Sequence, residues 1–211
     1  MSRWDHLFLR QHSRMTLTIP VKNPYCYAHL SPGDIRLLRL MPDKDENARV
    51  QCQLFDYPLH ESDDGTQLYE ALSYAWGGSE KDHRVSVDQY SLRVTANLHA
   101  ALLHLRGRFL ERIIWIDAIC INQDDKEEQG QQVQCMAEIY SRASRVIIWL
   151  GEPAAGSDEA LEAIRVAADK TPTEPLANEP IKQSILALLQ RPWFERVWVR
   201  EQTLNGNEIC Y

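Results

Sequence analysis

Residues 113–121 read Ile113-Ile114-Trp115-Ile116-Asp117-Ala118-Ile119-Cys120-Ile121, a run in which Asp117 is the one charged side chain. A run this apolar does not alternate between core and solvent. It predicts a strand covered on both faces, as in a parallel sheet. Downstream, Asn122-Gln123-Asp124-Asp125 precedes Glu127 and Glu128. An acidic first turn complements the helix dipole, so a helix is expected to start here, with Asp124 and Asp125 as caps and Val133, Met136, Ala137 and Tyr140 as its inward stripe. Arg145-Val146-Ile147-Ile148-Trp149-Leu150 then predicts another buried strand. Upstream, residues 69–75 form a short strand stopped by Gly77-Gly78. Thr95 caps a helix whose apolar positions Leu98, Ala101, Leu102, Leu105 and Phe109 recur at helical spacing. Strands alternating with helices make a parallel α/β sheet flanked by helices the natural reading.

The remaining segments extend this unit. Ile35 to Leu40 and Val50 to Leu54, separated by polar residues 42–47, predict a β-hairpin. Val85-Ser86-Val87 and Leu92-Arg93-Val94 predict a second. Residues 1–68 are read as an N-terminal extension bearing the first hairpin, with a loop at 60–66. Residues 69–211 form the main domain, and 153–191 a helical insertion and linker within it. That insertion holds a helix from Ser157 with Leu161, Ile164 and Ala168 inward, and prolines at 172, 175 and 180. Helices are expected over 181–190 and 193–204. The chain stops soon afterwards, as a piece of a longer protein or a reduced sheet would.

Composition narrows the function. Apolar residues make up 44% and charged ones 25%, ordinary for a soluble protein. Lys and Arg total 23 against 30 acidic residues, a net charge of −7, which repels nucleic acid. No apolar stretch approaches the ~20 residues of a membrane helix. The first residues lack the pattern of a secretory leader, so a cytoplasmic protein is expected. Cysteines at 26, 52, 120, 135 and 210 contain no Cys-x-x-Cys pair, and the histidines no His-Glu-x-x-His. Neither a disulfide framework nor a metal site is expected, and Cys120 and Cys135 read as small hydrophobes.

In a parallel sheet ligands bind beyond the carboxyl ends of strands, where the chain order reverses. Ser73, Tyr74 and Trp76 fall at one such end, as ring-stacking and hydroxyl groups for a ligand or as core residues. Asp117 needs a partner, because a buried unpaired carboxylate costs several kcal/mol. That partner is a backbone amide, an Arg or a ligand. On the last helix Phe194, Val197, Trp198 and Glu201 share one face, which sets Glu201 in an apolar stripe, paired with Arg or placed for use. No Gly-x-Gly-x-x-Gly loop is present, which disfavours dinucleotide binding for hydride transfer.

Tyr69-Glu70-Ala71-Leu72-Ser73-Tyr74-Ala75-Trp76-Gly77 resembles the opening motif of the fungal heterokaryon-incompatibility (HET) domain. Trp115 through Asp124, Gln132-Val133, Met136, Ile139-Tyr140, Ala143, Val146 through Glu152, and Arg191 through Trp198 continue the resemblance in order and spacing. It covers about residues 69–204, and Ile35 to Leu38 resembles the usual upstream strand. HET domains are distantly similar to Toll/interleukin-receptor-type (TIR) domains, which implies a TIR-like, flavodoxin-like fold. Some TIR domains cleave NAD at its nicotinamide bond with a glutamate on the corresponding helix. The resemblance therefore implies cell-death signalling in fungal non-self recognition, with NAD or a related nucleotide as substrate and no resident cofactor. It also implies a homo-oligomer on activation, with other incompatibility proteins as partners. Glu201 would be the catalytic carboxylate; Ser73, Tyr74, Trp76 and Asp117 would bind the nucleotide. The family pattern after the tryptophan reads Trp-x-x-Gln-Glu, whereas this chain has Trp198-Val199-Arg200-Glu201-Gln202. One residue is a rotation of about 100°, so the exchange sets a catalytic version against a non-catalytic assembly module.

Overall fold

The computed structural model describes residues 23–60, 69–169, 179–195 and 209–210. The readings made for 1–22, for the 61–66 loop, for the 170–178 linker and for the helix beyond Glu195 lie outside them. In chain order the elements are β1 (Asp34–Leu40), β2 (Gln51–Pro58), β3 (Glu70–Tyr74), β4 (His83–Val87), β5 (Tyr90–Val94), α1 (Ala96–Leu105), β6 (Arg112–Trp115), α2 (Asp117–Cys120), α3 (Lys126–Arg142), β7 (Val146–Trp149), α4 (Ser157–Asp169), α5 (Glu179–Leu189) and β8 (Ile209–Cys210). A 3-10 turn, Pro192–Glu195, follows α5.

Among the described residues, eight strands join one sheet in the order β5-β4-β2-β1-β6-β3-β7-β8. The sheet is mixed: both expected hairpins join the parallel strands in it. β1 runs antiparallel to both of its neighbours, β2 and β6, and β4–β5 is an antiparallel hairpin. Its turn needs a positive φ at Asp88 (54°), a conformation that Asp tolerates better than most residues. β2 and β4 pair parallel, and the longer parallel run is β6-β3-β7-β8. There, taken in chain order, the second strand lies beside the first, and the third beside the first on its other side. The order reverses between β3 and β7, and that is the switch point.

The deciding run divides differently from its reading. β6 stops at Trp115, and Asp117–Cys120 coils into α2. The amides of Ile119 and Cys120 both donate to Ile116 O (3.0 and 2.7 Å), and that of Ile121 to Asp117 O (3.3 Å). Ile116, Ile119, Cys120 and Ile121 are all buried here, and an apolar run alone does not separate a buried strand from a buried helix. Helix α1 is capped as expected, Leu98 N donating to Thr95 Oγ1 at 3.3 Å, but it ends at Leu105 and leaves Phe109 72% exposed. In α3 only Asp125 is the cap, its Oδ1 accepting from the amides of Glu127 and Glu128. Asp124 instead donates its own amide to Asn122 Oδ1. The inward face is Gln132, Ile139 and Tyr140 with Cys135 and Met136 packed on the core, while Val133 and Ala137 are exposed. Gln132 turns inward because its Nε2 donates to Asp34 O at 3.0 Å, a polar contact that periodicity does not anticipate. In α4, Leu161 and Ile164 are half-buried, but Ala168 is exposed.

Two charge clusters hold the sheet, one tying it to a helix and one tying its strands to each other. Arg36, 2% exposed, donates from Nη1 and Nη2 to Glu128 Oε1 and Oε2 (2.5 and 2.9 Å) and from Nη1 to Cys120 O (3.3 Å). Breaking a buried pair of this kind costs ~3–5 kcal/mol, since the surviving charge stays buried. Glu70, at the start of β3, takes Arg112 Nε at 2.8 Å and Arg145 Nε at 2.5 Å, from β6 and from the approach to β7. Burial pushes the Glu70 carboxyl up, but the hydrogen bonds from Arg112 and Arg145 outweigh it and hold the group below its ordinary 4.5. A depressed carboxylate contributes stability above its unfolded pKa and loses it as pH falls through the folded value. Glu70→Gln is expected to lower the unfolding free energy by about 1–3 kcal/mol at pH 7. In urea titrations the gap between variant and wild type should close as pH drops below 4.5; a gap that persists at pH ~2 would contradict this assignment.

Candidate functional site

The register of the parallel strands sets the level of the site. β3 and β6 pair Ala71 with Trp115, and β3 and β7 pair Tyr74 with Trp149. Two residues beyond the first pair stand Ser73 and Asp117, so the two reach the same sheet edge from adjacent strands. Ser73, Tyr74 and Asp117 are all buried, whereas Trp76 is 38% exposed just past the end of β3. Tyr74 is packed in the core among the strands.

Three tryptophans, one asparagine and one backbone amide supply the hydrogen bonds that follow at this edge. Trp76 Nε1 donates to Asp117 Oδ2 at 2.9 Å, and Ala118 N donates to Asp117 Oδ1 at 2.7 Å. Trp193 Nε1, from the 3-10 turn, donates to Ser73 Oγ at 3.0 Å. Asn97, in the first turn of α1, ties two strand ends together: its Nδ2 donates to Ala75 O at 2.6 Å and its Oδ1 accepts from Trp149 Nε1 at 2.8 Å. The ring of His104 lies over Trp149, centroids 4.9 Å apart. Gly77 has φ +71°, which strains an L side chain, and a Cβ there would meet Asn97 Cβ at 3.4 Å. The glycine therefore lets the chain turn tightly against α1 and carry Trp76 back over Asp117.

Ser73, Trp76 and Asp117 thus gather at one edge, and the partner required for Asp117 is an indole N–H with a backbone amide. Glu201, Gln202 and Trp198 lie outside the described residues. Asn97, Trp149 and Trp193 are contributors that the site reading missed. Asn97 follows a helix cap and breaks no apolar period, so its one sequence signal is a polar residue beside the buried Leu98. A pocket of about 210 Å3 lies elsewhere, between residues 29–35 and the first turns of α3, lined by His29, Asp34, Glu127 and Gln132 among others. None of the strand-end residues lines it. Burial raises the thiols of Cys52 and Cys120 to about 12, so neither is a nucleophile at neutral pH. Among the described residues no group of three or more His, Cys, Asp or Glu side chains is placed to hold a metal ion.

These features define a mixed α/β protein with polar side chains collected at the switch point of its parallel strands. The family model "Heterokaryon incompatibility protein (HET)" matches residues 69–201. The chain belongs to the HET family. It is 36% identical over 170 residues to Heterokaryon incompatibility protein 6, OR allele, of Neurospora crassa. That similarity covers 72% of this chain and 24% of the relative, so the chain spans about a quarter of that protein's length. No solved structure matches.

The indole–carboxyl contact should be measurable. A double-mutant cycle on Trp76→Phe and Asp117→Ala is expected to give a coupling of about 1 kcal/mol or more in urea unfolding. Additive single effects would contradict the contact.

Proposed function

We propose that this chain acts in fungal heterokaryon incompatibility as a TIR-like module that triggers cell death by cleaving NAD to nicotinamide and ADP-ribose products. The observation that carries the reading is the convergence of Ser73, Trp76 and Asp117 beside the β3/β7 switch point, where α/β sheets place nucleotides. The order second-first-third-fourth of the parallel strands is the one found in flavodoxin-like sheets, which supports the TIR-like comparison. The name of the Neurospora relative supports the biological setting.

The chemistry asks little of the protein. The bond between ribose C1′ and the nicotinamide nitrogen breaks, and its electron pair neutralises the pyridinium, so the leaving group needs no general acid. Water adds to C1′ and gives up a proton. One carboxylate suffices to stabilise the oxocarbenium-like ribose, whereas ordinary glycosidases use two. Glu201 is assigned that role; Ser73 and Asp117 hold ribose hydroxyls, Trp76 stacks on a ring, and Tyr74 shapes the floor beneath. Activation requires self-association in the cytoplasm, with other incompatibility proteins as triggers.

A second reading is a non-catalytic assembly module. It is favoured by the engagement of Ser73 and Asp117 by indoles and by the exposed Val133 and Ala137 face of α3. Free nicotinamide, measured with NAD at low and high protein concentration, separates the two. Release is expected to rise steeply with concentration and to vanish in Glu201→Ala. No release from assembled protein would establish the assembly module instead.

A further inference from the structure

We infer that Arg191 is the anion-binding residue of this site, taking the diphosphate of the dinucleotide; the inference rests on the NAD reading. Arg191 Nη1 donates to Leu150 O at 3.1 Å and to Gly151 O at 3.5 Å, the two residues that follow β7. Two positions further on, Trp193 holds Ser73 Oγ at the end of β3. One short turn therefore brings a guanidinium and an indole to the two strand ends that bound the switch point.

The charge of Arg191 is not matched by a neighbour. Its bonds go to neutral carbonyls, and among the described residues no carboxylate lies within the 4.0 Å at which Arg36, Arg112, Arg142 and Arg165 meet theirs. Glu152, adjacent in sequence to Gly151, turns to His104 Nε2 instead (3.8 Å). In a chain of net charge −7, Arg191 is a half-buried cation held at a strand end, among the described residues, by backbone carbonyls alone. Nη1 is spent on the backbone, which fixes the guanidinium plane and leaves Nε and Nη2 to donate. That edge suits the paired oxygens of a phosphate. Gly151 has φ +103°, and a Cβ there would find nothing nearer than Arg191 Nη1 at 4.0 Å. The glycine leaves the backbone bare beside the guanidinium, as close approach of a diphosphate requires.

Calorimetric titration of the full chain with ADP-ribose tests the assignment. Arg191→Gln is expected to weaken binding by about tenfold or more, with Arg191→Lys intermediate because it keeps the charge but loses the fork. On wild type alone, raising salt from ~50 to ~200 mM should weaken ADP-ribose but leave adenosine unaffected. Equal affinity in Arg191→Gln, salt-independent binding, or no binding of ADP-ribose by wild type would overturn the inference. Failure of the NAD reading looks different: ADP-ribose binds through Arg191, yet wild type releases no nicotinamide at any concentration. If wild type cleaves NAD, the loss in Arg191→Gln falls on KM more than on kcat.

Discussion

Strand β3 has parallel partners on both sides, and this constraint organises the rest of the molecule. Because β6 and β7 flank it in register, the residues after all three strands open on one edge of the sheet. Whatever sits there is brought together by backbone pairing and not by side-chain preference. Glu70 strengthens the constraint from the opposite end of β3 by binding Arg112 and Arg145, which belong to the two flanking segments. A charged group at the entrance of the central strand thus ties its neighbours to it, and polar groups at the exit face the site.

The hairpin β1–β2 supports this arrangement from the side. β1 pairs with β6 and carries Arg36, whose guanidinium reaches Glu128 in α3 and Cys120 O at the end of α2. Glu128 Oε1 also accepts the amide of Asn122, and Gln123 Nε2 donates to Asp117 O. The segment after β6 is therefore held at both ends of its turn. Asp117 is held through its own carbonyl by Gln123, and its carboxyl group meets Trp76. The buried Ser73 hydroxyl and Asp117 carboxylate are tolerated here because each accepts a hydrogen bond from an indole.

Much of this was legible in the residues. Apolar runs marked β6 and β7, Thr95 and Asp125 marked helix starts, and the two hairpins fell where turn residues interrupt alternating segments. The burial of Asp117 was legible as a demand for a partner, but the identity of that partner was not. Trp76 and Asp117 are 41 positions apart, and nothing local links them. The same holds for Trp193 and Ser73, 120 positions apart. Periodicity failed where a polar residue faces inward, as Gln132 does on α3, and where an apolar run changes from strand to helix after Trp115. The antiparallel direction of β1 beside β6 was also beyond reach, because direction follows from the path of the chain and not from the composition of a strand.

The proposed chemistry depends on the Glu201 carboxylate meeting the same ligand that Ser73, Asp117 and Arg191 are proposed to hold. An experimental structure of the assembled protein with ADP-ribose bound tests this most directly. The account predicts the Glu201 carboxylate within hydrogen-bond reach of the ribose, at the edge shared by β3, β6 and β7. A ligand bound elsewhere, or a Glu201 carboxylate facing away from that edge, would contradict it.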